Sequence, residues 1–242
     1  AACAKIKEAG YVPITDDDAY ITCLFGYHMC RLVGYERTSE IVKNGEWDDP
    51  AVLKTAEAFA DFAKKGYFSE NIASNVWPAG QNMELAGGTA AMYLNGSWLP
   101  NEVQAMAGDD FKWGCFSYPA VEGGTDGTEA ANFGAQVLAI NKDSKNAEAA
   151  FQLITYLTKG EFDKKLSVES VGIPSDSTNT EWPAQIACVK PVMESLTTRY
   201  PWAAGAEDNV DMTPIIKENM MKLCGGSITA DEFVANLQAA GK

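Results

Sequence analysis

Apolar and polar residues alternate between helical and strand-like periods along this chain. Residues 1–9 recur at helical spacing and stop at Gly10, a usual place for a terminating glycine, and 11–14 reads as a short strand. Residues 20–33 form an apolar helix with Ile21, Leu24, Phe25, His28 and Leu32 at helical spacing, and 34–47 is polar and reads as a surface excursion. Asp48 or Asp49 caps a further helix with Pro50 in its first turn. Its apolar face is Val52, Ala56, Phe59, Ala60 and Ala63, and Gly66 ends it. After a loop at 68–80 and a short helix at 82–86, the run 90–94 is continuously apolar and bounded by glycines, the pattern of a buried strand. It ends at Asn95-Gly96. Ser97 can cap a following helix at 99–107, which puts Trp98 at a strand-to-helix corner.

The second half continues the alternation. Residues 112–118 predict an edge or crossing strand closed by Pro119, and 133–140 a strand. Between them lies Val-Glu-Gly-Gly-Thr-Asp-Gly-Thr-Glu-Ala-Ala at 121–131. It lacks the Gly-Lys-Ser/Thr ending of a phosphate loop and precedes a strand, so it reads as a connection. Helices are predicted at 147–157, 161–168, 182–196 and 213–223, with a crossing at Gly172-Ile173-Pro174. Thr229 and Glu232 form a capping box for the last helix. The alternation implies an α/β fold.

Chemistry is concentrated at few positions. Trp98 has two readings, a core indole or a flat platform at the end of a strand, where ligands bind open α/β sheets. Asp16, Asp17 and Asp18 are adjacent and must be solvated, capping a helix or bound to something. Tyr200 and Trp202 flank Pro201 on a stiffened loop and suit either a second stacking surface or packing under the last helices. His28 is the only histidine, which removes a multi-histidine metal site and disfavours a histidine-dependent triad. No metal or cofactor motif is evident, and the aspartate cluster lacks the calcium-loop pattern. Six cysteines show no Cys-x-x-Cys spacing and read mostly as buried free thiols. The formal charge of −14 repels phosphate backbones, which argues against nucleic acid and anionic membrane surfaces as partners.

The segment Met-Glu-Leu-Ala-Gly-Gly-Thr-Ala-Ala-Met-Tyr-Leu-Asn-Gly-Ser-Trp at 83–98 resembles carbohydrate-type extracellular solute-binding proteins of ABC transporters, the maltose-binding-protein-like family. So do Ala-Lys-Ile-Lys-Glu-Ala-Gly-Tyr-Val-Pro-Ile at 4–14, the helix end and Gly-Tyr-Phe at 59–71, the segment 132–158, and Ser-Val-Gly-Ile-Pro-Ser. The likeness runs through nearly the whole chain in order. It implies a type II periplasmic-binding-protein fold, mainly the C-terminal lobe plus a returning segment of the other, with most of the first lobe absent. Residues 1–118 and 170–242 would form one lobe and 119–169 would belong to the other. Hinge motion would occur near Pro119 and Gly172. The resemblance favours the stacking reading of Trp98 and places Asp18 and Tyr20 on sugar-contacting positions. Where relatives stack a second tryptophan, this chain has Thr213, so Trp202 is the candidate replacement.

The expected function is a non-catalytic receptor that captures a mono- or oligosaccharide between two lobes and delivers it to membrane permease subunits, as an extracellular or periplasmic monomer, free or lipid-anchored. Its ligand residues would be Trp98, Tyr20, Asp18, Asp17 and Trp202. The rival is a glycoside hydrolase with paired carboxylates about 5–9.5 Å apart, for which Asp17, Asp18, Asp208 and Asp211 are the supply. A third reading, a protein-interaction module, predicts an exposed apolar patch around Trp98.

Overall fold

The computed structural model describes residues 1–241. In chain order the elements are α1 (Ala2–Glu8), β1 (Val12–Thr15), α2 (Ile21–Val33), α3 (Tyr35–Asn44), α4 (Pro50–Lys64), α5 (Gly80–Ala86), β2 (Ala90–Tyr93), α6 (Leu99–Ala107), β3 (Ala130–Asn132), α7 (Ala147–Leu157), α8 (Gly160–Ser170), α9 (Val189–Glu194), β4 (Thr198–Tyr200), α10 (Thr213–Cys224) and α11 (Ala230–Ala240). Short 3-10 turns occupy Ala184–Ile186 and Trp202–Gly205. The chain divides into two compact units. The first comprises residues 1–94, 117–133 and 196–242, and the second 95–116 and 134–195.

In the first unit β1 and β2 pair in parallel, Val12 beside Ala90, Ile14 beside Met92 and Thr15 beside Tyr93. A second parallel pair joins β3 to β4, Ala130 beside Thr198 and Asn132 beside Tyr200. The central helix is α2, buried on nearly every side, as its sequence of apolar and small residues requires. Gly26 is necessary there: a Cβ would stand 1.8 Å from the Ala203 carbonyl oxygen, so the Trp202–Gly205 turn lies directly on the helix backbone. Ala203 and Ala204 both take left-handed φ values of 50° to make that approach. The core around α2 joins Phe25, Met29, Ile41, Trp47, Phe59, Ile216, Met220 and Phe233. Thr229 and Glu232 make the expected reciprocal capping box.

The second unit holds α6, α7, α8 and α9. Its helix α7 has no buried residue, and Phe151, Leu153 and Tyr156 are largely exposed.

Three sequence expectations are corrected. The stretch 34–47 is not a polar excursion but carries α3, whose Thr38, Ser39, Ile41 and Val42 are buried. The strands expected at 112–118 and 133–140 are not formed. Pairing instead begins at β3, where β4 supplies the ladder partner that a strand needs. The helix expected over 182–196 is broken into a 3-10 turn and α9; Pro191, well inside the expected span, lacks the amide that a continuous helix would use there. The six cysteines are free thiols. Cys23, Cys30 and Cys224 are buried, Cys3 and Cys188 partly so, and Cys115 is exposed.

Candidate functional site

In the first unit the residues singled out by sequence gather at the carboxyl ends of β1 and β2. Immediately after β1 the chain turns through the three aspartates into α2. The Oδ1 of Asp16 accepts from the Asp17 amide at 2.8 Å. The Oδ1 of Asp17 accepts from the amides of Ala19 at 2.7 Å and Tyr20 at 3.1 Å, a side-chain turn that opens α2. Its Oδ2 accepts from the Tyr93 hydroxyl, and Tyr93 is the last residue of β2. Asp17 is thus buried with both oxygens committed to the chain. Burial pushes its carboxyl above the usual carboxylate range, against the lowering effect of the Tyr93 hydroxyl and the two amides. Asp16 is fully buried with Oδ2 unpartnered, and burial raises its pKa well above that range.

Asp18 is different. It is about one-third exposed, and its Oδ1 accepts from the Trp77 amide at 3.0 Å. The Lys217 ammonium lies 3.9 Å from Oδ2. These groups border a surface hollow of about 350 Å³ lined by Asp18, Ala73, Thr213, Pro214, Lys217 and Met221. The loop carrying Trp77 is fixed from below by Glu84, which accepts from Thr15, Ser69, Asn71 and Asn75. Burial alone would raise the Glu84 pKa, but those donors outweigh it and the carboxyl is lowered.

Tyr20 is the hub of an aromatic cluster. Its ring meets Tyr93 edge-on at 6.0 Å and 75°, and Trp202 at 6.0 Å and 63°. Tyr20 is buried, whereas Trp202 is 46% exposed. The indole Nε1–H of Trp202 donates to Glu207 Oε2 at 2.9 Å, and Glu207 Oε1 accepts from the Thr22 hydroxyl at 2.6 Å. The structure therefore brings Asp17, Tyr20 and Trp202 together, with Asp18 adjacent in sequence but turned to the hollow. Tyr93 and Glu207 were missed in the sequence. Tyr93 carried a signal, as the last strand residue before the Asn-Gly turn. Glu207 carried none, because its two partners lie 185 and five residues away.

Trp98 belongs to the second unit and is 38% exposed. It stands at the cap position of α6, and the preceding Asn95 side chain accepts from the Gly96 amide at 2.6 Å. The indole lies over Gly96 so closely that a Cβ there would be 2.2 Å from ring carbons.

Of the carboxylates considered for hydrolysis, Asp17 is committed as described. Asp208 accepts from Ser39 at 2.5 Å and pairs with Lys43 at 3.3 Å. Among the described residues no helix is long and apolar enough to cross a membrane, and no cluster of three or more metal-ligating side chains is present.

The sequence profile of a family described as bacterial extracellular solute-binding protein matches residues 1–161. None of the curated proteins gives a significant match. Among solved structures, the chain is similar to a chitin oligosaccharide binding protein, at 21% identity and a TM-score of 0.75 over 99% of this chain and 62% of that one. It is also similar to a protein studied for xylan utilization by the thermophilic bacterium Caldanaerobius polysaccharolyticus, at 17% identity and a TM-score of 0.74 over 98% and 63%. A third is a sugar transporter from Bacillus licheniformis in complex with stachyose, at 18% identity and a TM-score of 0.70 over 98% and 63%. The fold of these proteins, type II periplasmic-binding-protein-like, is the fold of this chain, which spans less than two thirds of their lengths.

Proposed function

Because this chain belongs to the bacterial extracellular solute-binding proteins, we propose that it serves in a non-catalytic saccharide receptor of an ABC importer. The observation that carries this reading is the cluster of Tyr20, Tyr93 and Trp202 at the carboxyl ends of a parallel strand pair, with the partly exposed Asp18 beside it. Sugars present flat C–H faces that stack on aromatic rings, and hydroxyls that carboxylates accept. The solved structures that this chain resembles, with chitin oligosaccharide, xylan and stachyose in their names, point to the same chemistry.

In this reading Trp202 offers a ring face, Tyr20 supports it, and Asp18 accepts from ligand hydroxyls. Asp17 acts as a positioning residue, since its oxygens already hold Tyr20 and Tyr93. Trp98 contributes a stacking face of its own from the corner before α6. The saccharide is captured between two lobes. Residues 1–118 and 170–242 are assigned to one lobe and 119–169 to the other. The loaded receptor docks on permease subunits outside the cytoplasmic membrane, as a monomer, free in the periplasm or held by a lipid anchor. The net charge of −14 suits a neutral or cationic cargo.

The test is a thermal-shift screen of mono- and oligosaccharides, repeated with Trp98→Ala. A saccharide that raises the melting temperature of the wild type and loses that effect in the variant is expected. Turnover of any saccharide would replace this reading with the hydrolase one, and a flat screen would remove the saccharide.

A further inference from the structure

The glycine-rich segment 121–131 has no role in the site above, yet it is hydrogen-bonded to the end of α2. The Thr125 amide donates to the Arg31 carbonyl at 2.8 Å, the Asp126 amide to the same oxygen at 3.4 Å, and the Thr125 hydroxyl to the Leu32 carbonyl at 3.1 Å. The loop thereby satisfies carbonyls that the end of α2 leaves open. Gly124 is required for this fit, because a Cβ there would stand 2.1 Å from the Arg31 carbonyl oxygen.

The side chain of the same residue grips the loop's flanks. Arg31 is fully buried. Its Nη2 donates to the carbonyls of Tyr118 at 2.8 Å and Ala130 at 2.7 Å, and its Nη1 to the Tyr200 hydroxyl at 3.0 Å. That hydroxyl donates to Asp126 Oδ2 at 2.5 Å, so the buried cation reaches a carboxylate through one tyrosine. The rings of Tyr27, Tyr118 and Tyr200 lie 5.7–5.9 Å from the guanidinium carbon. Around it the Asn132 amide donates to the Tyr27 hydroxyl at 2.6 Å, and the Thr197 amide to the Glu129 carbonyl at 2.9 Å. The chain passes between the two units after residues 94, 116, 133 and 195. Tyr118, Ala130 and Tyr200 stand within a few residues of three of those passages.

We propose that Arg31 and the glycine-rich loop form a clasp that fastens three of the four inter-unit passages to the end of α2, making 118–130 a fixed part of the first unit. The hinge expected at Pro119 is then displaced, and 119–130 moves with the first unit instead of with the lobe to which 119–169 was assigned. Bending is left to Ser117 and to the residues after Asn132. That consequence for lobe motion rests on the receptor reading, whereas the clasp itself does not, and its test uses no saccharide.

The test is amide hydrogen exchange followed by mass spectrometry on the full chain. The variants are Arg31→Lys, which keeps the charge but replaces the planar guanidinium fork with a single ammonium nitrogen that cannot reach the same separated acceptors, Gly124→Ala and Asp126→Asn. Gly114→Ala is the control, because its Cβ meets nothing within 4 Å. In Gly124→Ala and Asp126→Asn, exchange should speed by about tenfold or more in 117–133 and also in 196–200, with 12–15 and 90–93 unchanged. Acceleration at 196–200 on changing Gly124 is the sign of linkage, since a locally packed loop would not transmit it. Exchange within about twofold of wild type in all three variants would overturn the clasp, and so would equal acceleration of every segment. Should Arg31→Lys fail to fold, the other two variants decide.

Discussion

His28 offers a sharp test of the packing around α2, because it is the only histidine and its signals are unambiguous. Its ring lies 5.4 Å from Phe59 and 6.2 Å from Tyr118, with Nδ1 3.0 Å from the Tyr118 hydroxyl. Burial lowers its pKa from 6.5 to about 4. The folded state therefore binds fewer protons than the unfolded state between those values. Stability from this group is present above the unfolded pKa and is lost as pH falls toward the folded one. The full difference corresponds to about 3 kcal/mol, and between pH 7 and pH 4.5 the loss is about 2 kcal/mol. Asp16 and Asp17, with raised pKa values, act in the opposite sense over part of this range. Wild type must therefore be compared with His28→Gln at each pH. Urea unfolding should show the wild-type advantage over the variant shrinking by about 2 kcal/mol between pH 7 and pH 4.5. The histidine Cε1–H resonance should titrate well below 6.5. A resonance titrating near 6.5, or a stability difference that does not change with pH, would refute the buried, neutral imidazole.

Two further outcomes follow from the site. Asp16→Asn keeps the acceptor for the Asp17 amide and removes the cost of a buried carboxylate, so it should stabilise the protein at pH 7. Since the native carboxyl holds its proton to higher pH than the unfolded one, that gain should vanish on lowering the pH toward 4, as read from urea midpoints. Glu207→Gln can still offer its carbonyl oxygen to the Trp202 indole and its amide to the Thr22 hydroxyl, whereas Glu207→Ala can offer neither. The alanine variant should shift the Trp202 indole N–H resonance and weaken saccharide binding by about three- to tenfold, with the glutamine variant close to wild type.

The α/β alternation, α2, α4, the strand β2 with its corner at Trp98 and the capping box of α11 were legible because period, caps and glycines agree there. Helix α3 was obscured because its buried face mixes Thr38 and Ser39 with Ile41 and Val42, so polarity disguised the period. The stretch 133–140 carries a strand's composition, but beyond the Phe133 amide, which donates to the Tyr200 carbonyl at 3.2 Å, no ladder forms along it among the described residues. Local pattern cannot report whether a ladder partner exists. At the site, Tyr20 was picked out by the family resemblance and Trp202 by its place on the Pro201-stiffened loop; Tyr20 is buried and Trp202 partly exposed. The roles of Asp17, Tyr93 and Glu207 depend on contacts between residues far apart in sequence. A run of three aspartates gives no hint that two are buried and one faces solvent.

The central claim is that indole and phenol rings of this chain receive a saccharide. It is tested most directly by titrating the 15N-labelled chain with chito-, xylo- and raffinose-type oligosaccharides and following the six tryptophan indole resonances. Affinities as weak as about 1 mM are resolved by such titrations. For at least one sugar, the Trp202 and Trp98 indoles should shift saturably while the buried Trp47 stays still. If no sugar moves either resonance, or if Trp47 shifts as much as they do, the receptor account is contradicted.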